Sequence, residues 1–194
     1  MITYIQSILS EYTLVKLRSV LEKSNSWENL RIGQNPPYML ELCGKEKYWA
    51  REFLFSELSL ADRYRLKKSA SSCVDYEVTD FHTSNLNFFK YEVGAGLGVH
   101  EDVRPPGELE EGMDFVSLIF YINDDYEGGK FRTYPNGQEV YTLELMPRAG
   151  DAVLMNNTIR HESTATTRGN KYIAVMHWHY RFNVEVPHIE FLTN

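Results

Sequence analysis

Two histidines and one carboxylate, His100, Asp102 and His161, stand out in the C-terminal half of the chain. Side chains alternate along an extended chain, so His100 and Asp102 project to one face of a strand end and Glu101 turns away. His161 follows much later, at an expected turn after the apolar run Asp151–Met155. That separation lets the chain travel round a barrel and return. Two histidines and one carboxylate converging on a point would hold one face of an Fe(II) ion and leave its other positions open. His-x-Asp is common, however. On these three residues alone, a solvated strand end beside an unrelated surface histidine is the favoured reading.

The chain changes character near Ser84. Before it, helix signals dominate. Ser10 can cap a segment whose Leu14, Leu17, Val20 and Leu21 share a stripe, running to about Lys23. A Pro36-Pro37 break follows. Trp49 and Phe53 then stand one turn apart, and Ser59 can cap Leu60 to Lys68. From Leu86 onward, short β-rich runs alternate with turn signals. The runs are Leu86–Val93, Phe115–Ile122, Lys130–Tyr134, Gln138–Glu144, Asp151–Met155 and Tyr172–Tyr180. Asn136-Gly137 is the strongest hairpin signal among the turns. This pattern predicts a mainly β protein with N-terminal helices, an antiparallel barrel-like sandwich.

The chain has 194 residues, 43% of them hydrophobic and 24% charged, which excludes a mostly disordered or coiled-coil protein. No apolar run is long enough to cross a bilayer. The start of the chain lacks the pattern of a secretory signal, and the two cysteines, Cys43 and Cys73, read as free thiols; a cytoplasmic location is expected. Twenty Lys and Arg stand against 27 Asp and Glu, a net charge of −7. That balance argues against nucleic acid as a partner, and neither composition nor pattern sets an oligomeric state.

Further residues fall in order around the three candidates. They are Tyr91-Glu92-Val93-Gly94, Phe120-Tyr121-Ile122-Asn123, Glu127-Gly128-Gly129, Gly150-Asp151-Ala152-Val153-Leu154, His161-Glu162 and Gly169-Asn170-Lys171-Tyr172. In order and spacing, residues 86–181 resemble the 2-oxoglutarate- and Fe(II)-dependent dioxygenases, in the prolyl 4-hydroxylase-like branch. The resemblance implies a double-stranded β-helix (a jelly roll, or cupin-like barrel), one domain over residues 1–194 with helical support to about 84 and the core at about 85–182. It implies His100, Asp102 and His161 as Fe(II) ligands, Lys171 as partner of the far carboxylate of 2-oxoglutarate, and Tyr91 as a hydrogen-bonding contact to that cosubstrate. A buried carboxylate needs such a cation. Arg168 and Arg181 compete for the role, but the Gly-x-Lys-Tyr context favours Lys171. The implied cofactors are Fe(II), 2-oxoglutarate and O2, with ascorbate as a candidate accessory. The implied activity is hydroxylation, since Asp102 is retained where halogenating relatives lack the carboxylate.

Tyr121 and Ser117 share a face of their strand. Tyr121 reads equally as a cosubstrate contact or a core aromatic, and Ser117 as a satisfied hydroxyl. His177 and His179 share the parity of Lys171; His82 and His188 read as structural. The expected substrate is a prolyl residue of a peptide or protein, with a free amino acid or small metabolite as the alternative and a cupin-type binding protein as a third reading. The acidic segment from Val103 to Asp114 reads either as a lid over the site or as a passive surface loop.

Overall fold

The computed structural model describes residues 1–30, 39–74, 76, 78, 85–102 and 113–181. The Pro36-Pro37 break, His82, His188 and nearly all of the expected loop at 103–114 lie outside them. Met113 and Asp114 instead begin a strand, because they pair with Arg181 and Tyr180.

Three helices occupy the N-terminal part: α1 (Glu11–Lys23), α2 (Gly44–Glu57) and α3 (Leu60–Val74). Ser10 caps α1 as expected, its hydroxyl accepting from the Thr13 amide at 3.1 Å. Such a cap stabilises by about 1 kcal/mol. Ser59 does the same for α3 through the Asp62 amide, though that helix runs beyond Lys68 to Val74. In α2, Trp49 and Phe53 stack with their centroids 4.9 Å apart. Among the described residues, no helix is long and apolar enough to cross a membrane.

The strands are β1 (Ile2–Ile5), β2 (Trp27–Asn29), β3 (Leu40–Leu42), β4 (Asn85–Tyr91), β5 (Leu97–His100), β6 (Met113–Tyr121) and β7 (Glu127–Gly128). They continue with β8 (Phe131–Tyr134), β9 (Leu143–Leu145), β10 (Ala152–Asn156), β11 (Arg160–Ser163), β12 (Thr166–Arg168) and β13 (Lys171–Arg181). A seven-stranded sheet has the order β1-β10-β6-β13-β4-β3-β2, and a four-stranded sheet the order β5-β11-β8-β9. Both are antiparallel throughout. Three expectations change. The run Gln138–Glu144 is strand only at its end, because Val140 and Tyr141 are exposed and β9 pairs with Phe131–Thr133 alone. β1 was not expected, yet it zips onto β10 from Ile2 to Ile5. His161 lies in β11 rather than at a turn, paired to β5 on one side and β8 on the other.

Alternation along the large sheet explains its near-continuous apolar runs: both faces are buried. Val116, Leu118, Phe120, Ala174, Met176 and Trp178 pack toward the helices, where Leu17, Leu21, Leu54 and Leu66 are fully buried. Each such leucine stabilises by about 1.5–3 kcal/mol. Ile119, Tyr121, Val153, Met155 and Ile173 pack on the opposite face with Phe131 of the small sheet. The helices thus back one wall of the gap between the sheets, and that gap holds the site.

Candidate functional site

Parity along three adjacent strands points Lys171, Ile173 and Val175 of β13, Phe89 and Tyr91 of β4, and Ile119 and Tyr121 of β6 into one cavity of about 310 Å3. The facing wall includes His100 of β5, Phe131 of β8, and His161 and Ser163 of β11. One strand therefore serves two ends of the site: His161 and Ser163 share a face of β11, two residues apart.

At one end, His100 and His161 are register partners on neighbouring strands, their ring centroids 4.2 Å apart. Asp102 lies just beyond β5, its Oδ1 at 3.5 Å from Nε2 of His100 and 3.8 Å from Nε2 of His161. One ligand atom from each residue falls within 4.8 Å of the others. Each imidazole donates Nδ1–H to a carbonyl of its own segment, His100 to Gly98 and His161 to Ile159, both at 2.8 Å. The Nε2 lone pairs are left to face Asp102, the tautomer that metal-binding histidines take. Burial pushes the Asp102 carboxyl up, but His100, His161 and the Ser117 hydroxyl outweigh it and hold the group ionised at about 2. Burial pushes His161 down. At His100 burial also pulls down, yet Asp102 and the Gly98 carbonyl carry the net shift upward. Two imidazole nitrogens and an ionised carboxylate on one side of a point are a donor set that fits a divalent first-row metal with open positions.

At the other end lies Lys171, 1% exposed. Its ammonium donates to the Gly129 carbonyl at 2.7 Å and the Ser163 hydroxyl at 2.8 Å, under the rings of Tyr91, Tyr121 and Tyr126. No acid among the described residues pairs with it, and burial pushes it down to about 7. An ammonium has three donors, so a carboxylate entering this niche would complete its set and hold its charge. The competing cations are elsewhere. Arg168 pairs with Glu127 in solvent, and Arg181 is exposed.

The supports of this end were mostly not legible beforehand. Asn123, in the motif before β7, accepts from the Tyr172 amide at 2.8 Å and so fixes the entry of β13 beside Lys171. Gly129 has φ +58°, and a Cβ there would stand 3.0 Å from Lys171 Cδ; a side chain would strain the backbone and crowd the lysine in its niche. Ser163 and Tyr126 carry no signal in the sequence, since neither belongs to an alternating run. Ser117 is a satisfied hydroxyl, as expected, but what satisfies it is Asp102 Oδ2, at 2.5 Å. His177 borders the cavity and stacks on Phe115; His179 is not among the lining residues.

Comparison with known proteins points the same way. The profile of the 2OG-Fe(II) oxygenase superfamily matches residues 86–180. No curated protein is significantly similar to the chain in sequence. Among solved structures, a Pseudomonas putida prolyl-4-hydroxylase is 16% identical, with 93% of this chain and 92% of that one covered and a TM-score of 0.66. A Trichoplax adhaerens prolyl hydroxylase, in complex with a peptide fragment of the hypoxia inducible factor oxygen degradation domain, is 16% identical, with coverages of 93% and 83% and a TM-score of 0.64. The viral collagen prolyl hydroxylase of Paramecium Bursaria Chlorella virus-1, in a 2OG complex, is 15% identical, with coverages of 93% and 95% and a TM-score of 0.56. At these identities the likeness establishes the fold, the jelly roll expected from the sequence.

Proposed function

We propose, from the membership of this chain in the 2OG-Fe(II) oxygenase superfamily through residues 86–180, that it hydroxylates a prolyl residue of a peptide or protein. The enzyme class, a dioxygenase using Fe(II), 2-oxoglutarate and O2, follows from the membership itself. In our reading His100, Asp102 and His161 hold the iron, and Lys171, Tyr91 and Tyr121 receive the cosubstrate. When bound, iron and 2-oxoglutarate would activate O2, the oxidant: one oxygen atom would go into succinate as 2-oxoglutarate loses carbon dioxide, and the other into the hydroxylated C–H bond. The chain's own groups bind and orient. Asp102 presents Oδ1 between the two imidazoles, and the Lys171 ammonium anchors the far carboxylate. Ile119, Ile173, Val175 and Phe131 keep water from the ground between.

One observation carries the choice of a peptidyl substrate. Among the described residues lining the cavity, Lys171 is the one lysine or arginine, while Glu101, Asp102 and Glu162 also border it. With Lys171 occupied by the cosubstrate, a free amino acid would bring its carboxylate beside acids with no second lysine or arginine among the described lining residues to meet it, which is costly. A prolyl ring within a peptide brings no charge. The prolyl hydroxylases named above, one of them holding a peptide, agree with this reading. Incubated with Fe(II), 2-oxoglutarate and air, the protein is expected to add one oxygen to proline-containing peptides, read by mass. Oxygen added to free amino acids and to no peptide would overturn the choice.

The cosubstrate site has a pH signature. The Lys171 ammonium titrates near 7 in the free protein, and a bound carboxylate favours its charged form. The KM for 2-oxoglutarate is expected to be flat below pH 7 and to climb above it, by about tenfold per pH unit, until the bound state also loses its proton. Steady-state kinetics between pH 6 and 9 measure this. A KM independent of pH across that range would remove Lys171 from the role.

A further inference from the structure

We propose that Ser117 is a positioning residue that fixes Asp102 in its metal-binding orientation; the inference rests on the iron site proposed above. Asp102 lies outside the regular strands, two residues beyond the end of β5. Nothing in strand pairing orients its side chain. Two hydrogen bonds do. Its amide donates to the Asn157 carbonyl at 3.0 Å, which holds the backbone, and its Oδ2 accepts from the Ser117 hydroxyl at 2.5 Å, which holds the carboxylate. The oxygen left over, Oδ1, is the one that faces Nε2 of both histidines.

Ser117 is suited to act as that post. It lies mid-strand in β6, fully buried, between its register partners Met155 of β10 and His177 of β13, so its backbone is paired on both sides at the centre of the large sheet. A hydroxyl has one hydrogen to give, and a bond to an ionised carboxylate is about twice as strong as a neutral one. The same bond ties the seven-stranded sheet to the end of β5 in the four-stranded sheet, across the mouth of the cavity. Ser117 is also a polar interruption in the run Phe115–Ile122, where Ala or Val would serve packing as well.

Removing an outer partner of a metal ligand costs about 10–100-fold in metal affinity. The test is Mn2+ binding to the metal-free full chain, by calorimetry and by the rise in melting temperature that Mn2+ produces. Ser117→Ala is expected to keep its folded spectrum, lose about 10–100-fold in Mn2+ affinity and show a smaller Mn2+-induced melting shift. Ser117→Thr, which keeps the hydroxyl, should return affinity to within a few-fold of the parent. Wild-type affinity in Ser117→Ala, with His100→Ala losing Mn2+, would overturn the role of Ser117 and leave the site standing. Wild-type affinity in His100→Ala would instead remove the site on which the inference rests. Equal loss in Ser117→Ala and Ser117→Thr would assign the effect to packing and overturn the proposal. Should Ser117→Ala fail to fold, Ser117→Cys, of similar size and a weak donor, is held to the same criterion.

Discussion

Asp102→Ala and His161→Ala are each expected to abolish Fe(II)-dependent turnover while the fold persists. Asp102 supplies the one carboxylate of the cluster and stands between the two imidazoles. Without it two nitrogens remain, and the oxygen that neutralises part of the metal charge is gone. Loss of an outer-shell partner already costs about 10–100-fold, so loss of a ligand should cost at least about 100-fold in 2-oxoglutarate consumption. The stability cost should be moderate, about 1–3 kcal/mol: Asp102 lies outside the apolar clusters, but its loss leaves the buried Ser117 hydroxyl without its partner. His161 is more deeply buried and packs near Phe131, so its alanine variant should also lose some melting temperature through the space it leaves. Turnover of iron-loaded variants under saturating 2-oxoglutarate measures the effect. Near-normal turnover in two of the three ligand variants, His100→Ala included, would show that the metal sits elsewhere.

Lys171→Ala should leave metal binding nearly unchanged and raise the 2-oxoglutarate requirement by hundreds- to thousands-fold. Removing one partner of a buried charge pair costs about 3–5 kcal/mol, and each 1.4 kcal/mol is about tenfold in affinity. Lys171→Arg should retain part of the binding, since the charge survives, but a planar fork fits poorly where Gly129 and three tyrosine rings close round a single ammonium. Lys171→Met provides the opposite sign in another observable. The free protein buries this lysine without an acid and holds its pKa far below that of the unfolded chain. The unfolded state therefore binds the extra proton, and stability should rise with pH from about 7 to 10. That rise should be missing in Lys171→Met, which should also melt higher than the parent at pH 7. Loss of cosubstrate binding in Arg168→Ala or Arg181→Ala, with Lys171→Ala intact, would transfer the role to another cation.

The parts of the fold that were readable before the structure are those with a period. The stripe of α1 and the two-face burial of β6, β10 and β13 show directly in residue order, since long apolar runs bounded by turns can pair centrally in a sheet. β11 has no such pattern. Arg-His-Glu-Ser is polar throughout, and it is a strand because β5 and β8 flank it on both sides; non-local pairing overrides local composition there. The same limit hid Ser163 from view, although the histidine two residues before it stood out. The three candidate ligands, which the fold brings within 4.8 Å of one another, stood out through the family motifs around them; their own types and spacing favoured a solvated strand end beside an unrelated histidine. The cradle of Lys171 was not legible, because a backbone carbonyl, a glycine with positive φ and a tyrosine from a turn have no residue-type signature. Ser117 lies between these cases: its position in the strand was readable, and its partner required coordinates.

If one cavity holds iron at His100, Asp102 and His161 and 2-oxoglutarate at Lys171, the protein should turn over 2-oxoglutarate without any added substrate. With Fe(II) in air, following 2-oxoglutarate and succinate together is expected to show slow formation of one succinate per 2-oxoglutarate consumed, stopped by chelating the iron and absent in His161→Ala. Folded, iron-loaded protein that forms no succinate under these conditions would rule out that shared site.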